Sequence, residues 1–229
     1  QCSNARCGDR RDGPGEGFND PRPVTPVGGN TGTTLGQQRL IAFQHAANIW
    51  AGLVSSAVTI RVGANFDPLP CNATGAVLGA AGPTTVFRDF PGAPRPSTWY
   101  PGALASALSG RDLDAGHDDD IGATFNSAIG TTCAFPRVWY YGLDGNPPAS
   151  QIDFVSVVVH ELGHGLGFLT FIDVSSGAKF FGFNDTFMLN LEGHGASPSD
   201  FPSMTDAQRV AASTDTGNLH WVGTNVEAA

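Results

Sequence analysis

This chain has few charged residues, and the positive ones are the scarcest. Charged residues make up 14% of its 229 positions, 12 Lys and Arg stand against 21 Asp and Glu, and Lys179 is the single lysine. The net charge of −9 argues against nucleic acid and anionic membrane as partners, because an acidic surface repels both. No apolar run reaches the roughly 18 residues that a transmembrane helix needs, so the sequence predicts no membrane-spanning segment.

Cysteine is also scarce, and its spacing is not that of a metal site. The four cysteines include no CxxC pair, and their even number favours two disulfides in a secreted, extracellular protein. The favoured pairing joins Cys2 to Cys7 and Cys71 to Cys133, the second bridge closing a long loop, although other pairings stay open. Gln1 is interpreted as a mature end left after removal of a signal or pro-segment.

The rest of the composition predicts a folded protein with many loops. Hydrophobic residues make up 41% of the chain, and 30 Gly and 16 Pro interrupt them. A chain of this length can bury a sizeable core, either as one domain or as two lobes around a cleft.

Residues 160–168 read HELGHGLGF and contain the HExxH zinc motif. On a helix, His160 and His164 leave the same face and can hold one zinc ion. Glu161 can then accept a proton from a zinc-activated water without itself coordinating the metal. The spacing therefore predicts a zinc site rather than two structural histidines.

The neighbouring residues favour a helix at this motif. The run 152–159 is nearly all apolar, as expected of a helix buried beneath a cleft. The segment 150–153 is predicted to cap the helix, with Ser150 as N-cap and Asp153 three positions later. Gly167 is predicted to end the helix in a left-handed turn.

The pattern of elements predicts an α+β fold of zincin-like architecture, with a twisted mixed β-sheet packed on two main helices and the active helix at the cleft. Residues 1–33 are predicted to form an extended arm, 34–168 the lobe with the active helix, and 169–229 a smaller, irregular and incomplete C-terminal lobe. The first predicted helix is capped by Thr34 and Gln37, and its apolar stripe is Leu40, Phe43, Ala47 and Trp50. Short helices are predicted at 101–108 and 205–212. Strands are predicted at 58–62, within 76–90, at 121–125 and at 138–141.

Two acidic segments are candidates for calcium. Residues 12–20 and 112–120 are rich in Asp, and a hard cation such as Ca²⁺ would neutralise their carboxylates. A turn-rich arm and a solvated loop are the favoured readings, and calcium is the open alternative for both. His117, within the second segment, is too isolated to be predicted as a ligand.

The quoted residues resemble a known family, the secreted bacterial zinc metallopeptidases with an HExxHxxGF motif. These are zincins related to the leishmanolysin-like metzincins, often associated with a protease-associated domain. The resemblance implies a two-lobed peptidase with His160 and His164 as zinc ligands and Glu161 as general base. It also implies that the strand 121–125 lines the cleft and pairs with extended substrate. The similar segments are HELGHGLGF at 160–168, WYYGLDG at 139–145 and NDTFM at 184–188.

The third zinc ligand is open, although catalytic zinc normally has three protein ligands. The metzincin signature HExxHxxGxxH would place a histidine at position 170, where this chain has Thr170, and neither methionine lies in an obvious turn beneath the metal. The favoured prediction is a ligand outside this chain, with Asp185 instead orienting a zinc histidine. Cys2 as a thiolate cap on the zinc is a weaker alternative. The candidate ligands within the chain are Asp185 and, less strongly, Asp173, Glu192, His194 and His220.

The sequence thus predicts a secreted zinc-dependent metalloendopeptidase that acts on protein or peptide substrates. Glu161 would be its general base, and Tyr140 or Tyr141 could stabilise the oxyanion. One alternative is a catalytically silent zinc-binding or structural fragment of a larger protease, for which the remainder of the precursor chain would be a partner. A zinc hydrolase acting on non-peptide substrates is the other.

Overall fold

The computed structural model describes residues 12–114 and 119–223. Within these ranges the chain is a mixed α+β fold with four α-helices and several small sheets, which confirms the predicted class. The helices are α1 (Leu35–Leu53), α2 (Gly102–Ser109), α3 (Phe154–Leu166) and α4 (Asp206–Thr214). The strands are β1 (Val62–Asp67), β2 (Gly79–Pro83), β3 (Val86–Phe87), β4 (Thr98–Pro101), β5 (Ile121–Asn126), β6 (Val138–Tyr140), β7 (Gln151–Asp153), β8 (Asn184–Asp185), β9 (Leu191–Gly193) and β10 (Leu219–Trp221).

The largest sheet has three strands in the order β1–β5–β2. β1 is parallel to β5, with Val62 opposite Ile121, and β2 is antiparallel to β5, with Gly79 opposite Phe125. Both edges of β5 are therefore hydrogen-bonded. The expectation that strand 121–125 pairs with substrate is wrong, because a further strand can add only at a free edge. Among the described strands, β2 is the antiparallel edge on the side of α3.

The main core lies where α3 packs on β2 and β5 and α1 packs on α3. Phe154, the first residue of α3, is fully buried at its centre. The N-terminal arm also enters this core, since Phe18 is buried and packs edge-on against Phe43 and Phe66. The arm is thus part of the fold and not only a surface wrapping. Four aromatic rings lie 5.0–5.4 Å from the Phe154 ring, those of Phe66, Phe125, Trp139 and Tyr141.

Helix α1 begins as predicted but buries a different face. Thr34 and Gln37 form the capping box, which confirms the predicted start. Leu40, expected in the core, is 37% exposed, whereas Arg39 is 5% exposed. Arg39 can be buried because its guanidinium lies 4.2 Å from the Phe66 ring centre and donates hydrogen bonds to protein oxygens.

The other predicted elements are mostly found, with shifts at their ends. The strand expected at 58–62 is wrong, since β1 begins only at Val62. The expected helices at 101–108 and 205–212 are confirmed as α2 and α4, and the aromatic strand at 138–141 as β6. The Gly-broken run at 76–90 contains β2 and β3.

Two smaller apolar clusters lie outside the main core. One consists entirely of residues that follow α3, and the other lies around α2 and β4. Their buried members are Ile172, Met188, Leu191, Phe201 and Met204 in the first, and Phe90, Tyr100 and Ala105 in the second.

The predicted pairing of Cys71 with Cys133 is confirmed, since their sulfur atoms are bonded and their Cα atoms lie 5.9 Å apart. Cys2 and Cys7 lie outside the described residues, so their pairing stays a prediction. In the part of the chain that the structure describes, no helix is both long and apolar enough to cross a membrane.

Candidate metal centre

Helix α3 carries the HExxH residues and starts later than expected. Its N-cap is Asp153, whose carboxylate accepts a hydrogen bond from the Ser156 amide, so the prediction of Ser150 as N-cap is wrong. The reason is tertiary: residues 151–153 form β7, which pairs in parallel with β6. Gly167 ends the helix with φ 119°, which confirms the predicted left-handed turn.

The two histidines converge on one point. The Nε2 atoms of His160 and His164 lie 3.0 Å apart, with the ring planes at 88°. Two nitrogens bound at about 2.0–2.1 Å to one tetrahedral zinc lie about 3.3 Å apart. The observed separation is close to that value, so the pair fits a shared metal with little movement.

A backbone carbonyl fixes the tautomer of His164. Its Nδ1 lies 2.8 Å from the Phe168 oxygen, and since a carbonyl can only accept, Nδ1 carries the hydrogen. In the neutral ring the Nε2 lone pair then points toward His160. Histidines that bind metals usually have such a contact on their second nitrogen. Asp185 was the residue predicted for this role. The Phe168 carbonyl could not be predicted from the sequence, because its position depends on the turn at Gly167.

Glu161 is buried beside the edge strand β2. It is 8% exposed, and a Cβ atom on Gly79 would lie 3.2 Å from the Glu161 Cγ. Its carboxylate makes no hydrogen bond or ion pair with any other residue in the described ranges. An acidic side chain held in this way is free to exchange a proton with a bound reactant.

Two glycines of the motif have different surroundings. A Cβ on Gly165 would lie 2.3 Å from Ile121 Cγ2, so α3 approaches β5 this closely only because residue 165 has no side chain. On Gly163 the nearest atom would be Trp50 Cζ2 at 3.4 Å, an ordinary contact. A packing role was not predicted for either glycine from the sequence.

Asp185 does not join the histidines. It is 2% exposed, and its carboxylate accepts hydrogen bonds from Thr170 Oγ1 at 2.7 Å, the Phe171 amide at 2.8 Å and the Met188 amide at 2.7 Å. The expectations that Asp185 is a ligand, or orients a zinc histidine, are therefore wrong. Instead its hydrogen bonds connect the segment that follows α3 to the start of the turn at Met188.

The weaker ligand candidates also lie elsewhere. Asp173 closes a turn on Ser175, whose hydrogen bonds lower the pKa of this carboxyl. Glu192, His194 and His220 lie on or directly next to the antiparallel strands β9 and β10. Across residues 12–114 and 119–223, no group of three or more His, Cys, Asp or Glu side chains is placed to share a metal ion.

Both candidate oxyanion tyrosines have other partners. The Tyr140 hydroxyl donates to Asp144 Oδ1 at 2.8 Å, which raises the pKa of Tyr140 and lowers that of Asp144. The Tyr141 hydroxyl accepts from Arg39 Nε at 3.0 Å, and burial raises the pKa of Tyr141. The Tyr141 hydroxyl is bound within the core, so the predicted oxyanion role is wrong for this residue. The Tyr140 hydroxyl bonds to a carboxylate at the surface, and its oxyanion role stays a prediction.

The acidic residues of the arm bind protein donors. Asp12 accepts from the Phe18 amide at 2.7 Å and the Phe66 amide at 2.9 Å. Asp20 receives hydrogen bonds from the Arg22 guanidinium, which hold the pKa of Asp20 below its usual value. These contacts favour the turn-rich arm over a calcium loop.

The second acidic segment is partly outside the described residues, which exclude 115–118 and with them His117. Asp112 pairs with Arg61 at 3.2 Å, and Asp120 accepts from the Arg61 amide at 2.7 Å. Burial raises the pKa of Asp120. The calcium prediction for 112–120 stays a prediction.

A cavity of about 440 Å³ opens between the C-terminal part of α1 and α3. It is lined by Leu162 and Leu166, which lie on the face of α3 opposite His160 and His164. The cavity is therefore separate from the candidate metal centre.

Comparison with known proteins identifies no relative: no family model, no curated protein and no solved structure matches this chain significantly.

Proposed function

We propose that this protein is a zinc-dependent metalloendopeptidase. The observation that carries the proposal is the convergence of His160 and His164 at 3.0 Å, with the His164 tautomer held by the Phe168 carbonyl. The unpaired carboxylate of Glu161 on the same helix is what a general base requires.

When bound, zinc would lower the pKa of an attacking water and polarise the scissile carbonyl. His160 and His164 would hold the metal, and Glu161 would accept the proton of the water and pass it to the leaving amine. The Phe168 carbonyl keeps the His164 ring in place through this cycle.

The outer edge of β2, which no described strand pairs with, supports a peptide as the substrate. It is antiparallel to β5 and lies against Glu161, so an extended segment that added to this edge would run past the carboxylate. Backbone hydrogen bonds of this kind recognise a peptide chain without demanding particular side chains. Substrate pairing, predicted from the sequence for strand 121–125, is thus proposed for β2 instead.

The third ligand is proposed to come from outside the described residues. None of the five candidates within the chain reaches the two histidines. The same observation favours a second candidate function, a catalytically silent zinc-binding fragment of a larger protease. A secreted location is proposed from the Cys71–Cys133 bridge, since such bridges persist in oxidising compartments.

Hydrolysis of casein by the purified full chain, with its intact mass recorded, tests the proposal. The expected result is cleavage that 1,10-phenanthroline abolishes and added Zn²⁺ restores. Zinc binding without cleavage would favour the silent fragment, and cleavage that is indifferent to chelator would overturn the metallopeptidase.

A further inference from the structure

The two-stranded sheet of β9 and β10 places two histidines side by side. β9 and β10 are antiparallel, with His220 opposite Glu192. His194 follows β9 directly, and its amide donates to the Asn218 carbonyl at 2.7 Å, so the pairing continues to this residue. Because side chains alternate along a strand, His194 and Glu192 lie on the same face of the two-stranded sheet as His220. The two imidazole centroids are 4.1 Å apart, with the ring planes at 31°.

The two rings lie on the exposed face of this two-stranded sheet. His194 and His220 are both exposed, whereas Leu219 and Trp221, on the opposite face, pack against the apolar cluster of residues that follow α3. The sheet is thus packed through its other face, and the exposed histidines can turn their nitrogens toward a ligand.

The surroundings favour a cation. An open cavity of about 870 Å³ lies beside β9 and is lined by His194 and Asp215. Glu192 adds a second carboxylate across from His220. The negative charge of these two carboxylates raises the local concentration of cations near the imidazoles.

We propose that His194 and His220 form a two-histidine site for Cu²⁺ and, less strongly, Ni²⁺ and Zn²⁺, separate from the His160 centre. Neutral imidazole is a good ligand for these ions, and Cu²⁺ binds most tightly of the three. Water completes the coordination, since the described residues offer no third protein ligand here. The bound ion joins β9 to β10.

The pair should bind much more tightly than one imidazole. Once the first nitrogen holds the ion, the second binds within the same molecule, which strengthens binding by about 100-fold or more. Because the pair is assembled only in the folded chain, the ion also raises the temperature of unfolding.

The experiment is a Cu²⁺ titration of the full chain carrying His160→Ala and His164→Ala. Binding is measured by calorimetry, and the copper ligands are identified by electron paramagnetic resonance. One tight site with nitrogen couplings is expected, and adding His194→Ala or His220→Ala should weaken it at least tenfold. The matched controls are His45→Ala and His117→Ala, which change the remaining histidines and should leave the affinity unaltered. Equal affinity with and without His194 and His220, or loss of the site in a control, would overturn the proposal.

A second measurement covers the case in which the starting variant does not fold. In the wild-type background, His194→Ala with His220→Ala should remove one equivalent of bound Cu²⁺ and its stabilising effect in thermal unfolding. An unchanged stoichiometry would refute the site. Neither experiment depends on peptidase activity, so this proposal can fail while the peptidase proposal stands.

Discussion

At the residue scale, Glu161 combines burial with the absence of a described partner. Its carboxylate oxygens are not among the buried polar atoms that lack a partner, so they reach solvent although the rest of the side chain is buried. Glu161 is 8% exposed and lies against Gly79 of the edge strand. Packing thus fixes the stem of the side chain, while the carboxylate stays accessible to a reactant.

The first prediction is that Glu161→Gln keeps fold and zinc content but lowers the rate of casein hydrolysis about 100-fold or more, since only the basic oxygen is lost. Circular dichroism and zinc analysis are the controls. Hydrolysis at near the wild-type rate would remove Glu161 from the mechanism.

The second prediction concerns Asp185, whose carboxylate accepts three hydrogen bonds in a nearly closed environment. Asp185→Ala should lower the free energy of unfolding by about 2–4 kcal/mol, because it leaves buried donors without acceptors. Zinc affinity of the folded variant should be unchanged. Urea unfolding and zinc titration separate the two effects, and a large loss of zinc affinity at unchanged stability would return Asp185 to the metal centre.

At the element scale, α3 is held against β5 by a position without a side chain. The Gly165 Cα faces Ile121, and Trp50 Nε1 donates to the Val159 carbonyl at 2.9 Å from the other side. α3 is therefore clamped between the sheet and α1, which fixes where its histidines project.

The third prediction is that Gly165→Ala lowers the free energy of unfolding by about 1–3 kcal/mol, because the new methyl group overlaps Ile121. Gly163→Ala is the matched control on the same helix. It meets only an ordinary contact and should be neutral or stabilising by up to about 1 kcal/mol through helix propensity. Equal effects of the two variants in urea unfolding would show that close packing is not the reason for Gly165.

At the scale of the whole molecule, the Cys71–Cys133 bridge joins the segment before β2 to the segment before β6. The two cysteines are separated by 62 positions, and this long loop contains β2, α2 and β5.

The fourth prediction is that Cys71→Ser with Cys133→Ser lowers the free energy of unfolding by about 4 kcal/mol, since the open chain gains conformational entropy. Reduction of the wild-type protein should produce a similar loss in urea unfolding. A much larger loss in the double variant would point to damaged packing, and an unchanged midpoint would contradict the expected role of the bridge.

Local signals in the sequence were enough to predict most helices and the histidine pair, whereas the Cys71–Cys133 bridge was favoured from the number and spacing of the cysteines. The capping box at Thr34, the turn at Gly167 and the HExxH spacing act over a few residues, so no tertiary information is needed. The errors arose where distant segments decide. Residues 151–153 became a strand because β6 lies beside them, and Arg39 replaced Leu40 in the core because aromatic rings and carbonyl oxygens receive its guanidinium.

The role of Asp185 could not be read from spacing either. Its partners lie 14 and 15 residues upstream and 3 residues downstream, and their approach depends on the path of the chain after α3. An acidic residue at that distance from the motif fits a ligand and a structural anchor equally well.

The proposed function depends above all on a zinc ion held by His160 and His164. The most direct measurement is the zinc content of the full chain after dialysis, by elemental analysis, for the wild type and two double variants. The wild type and His194→Ala with His220→Ala should each retain about one zinc per chain, whereas His160→Ala with His164→Ala should retain almost none. Full zinc content in the His160 and His164 double variant, or none in the wild type, would show that these two histidines do not hold a zinc ion.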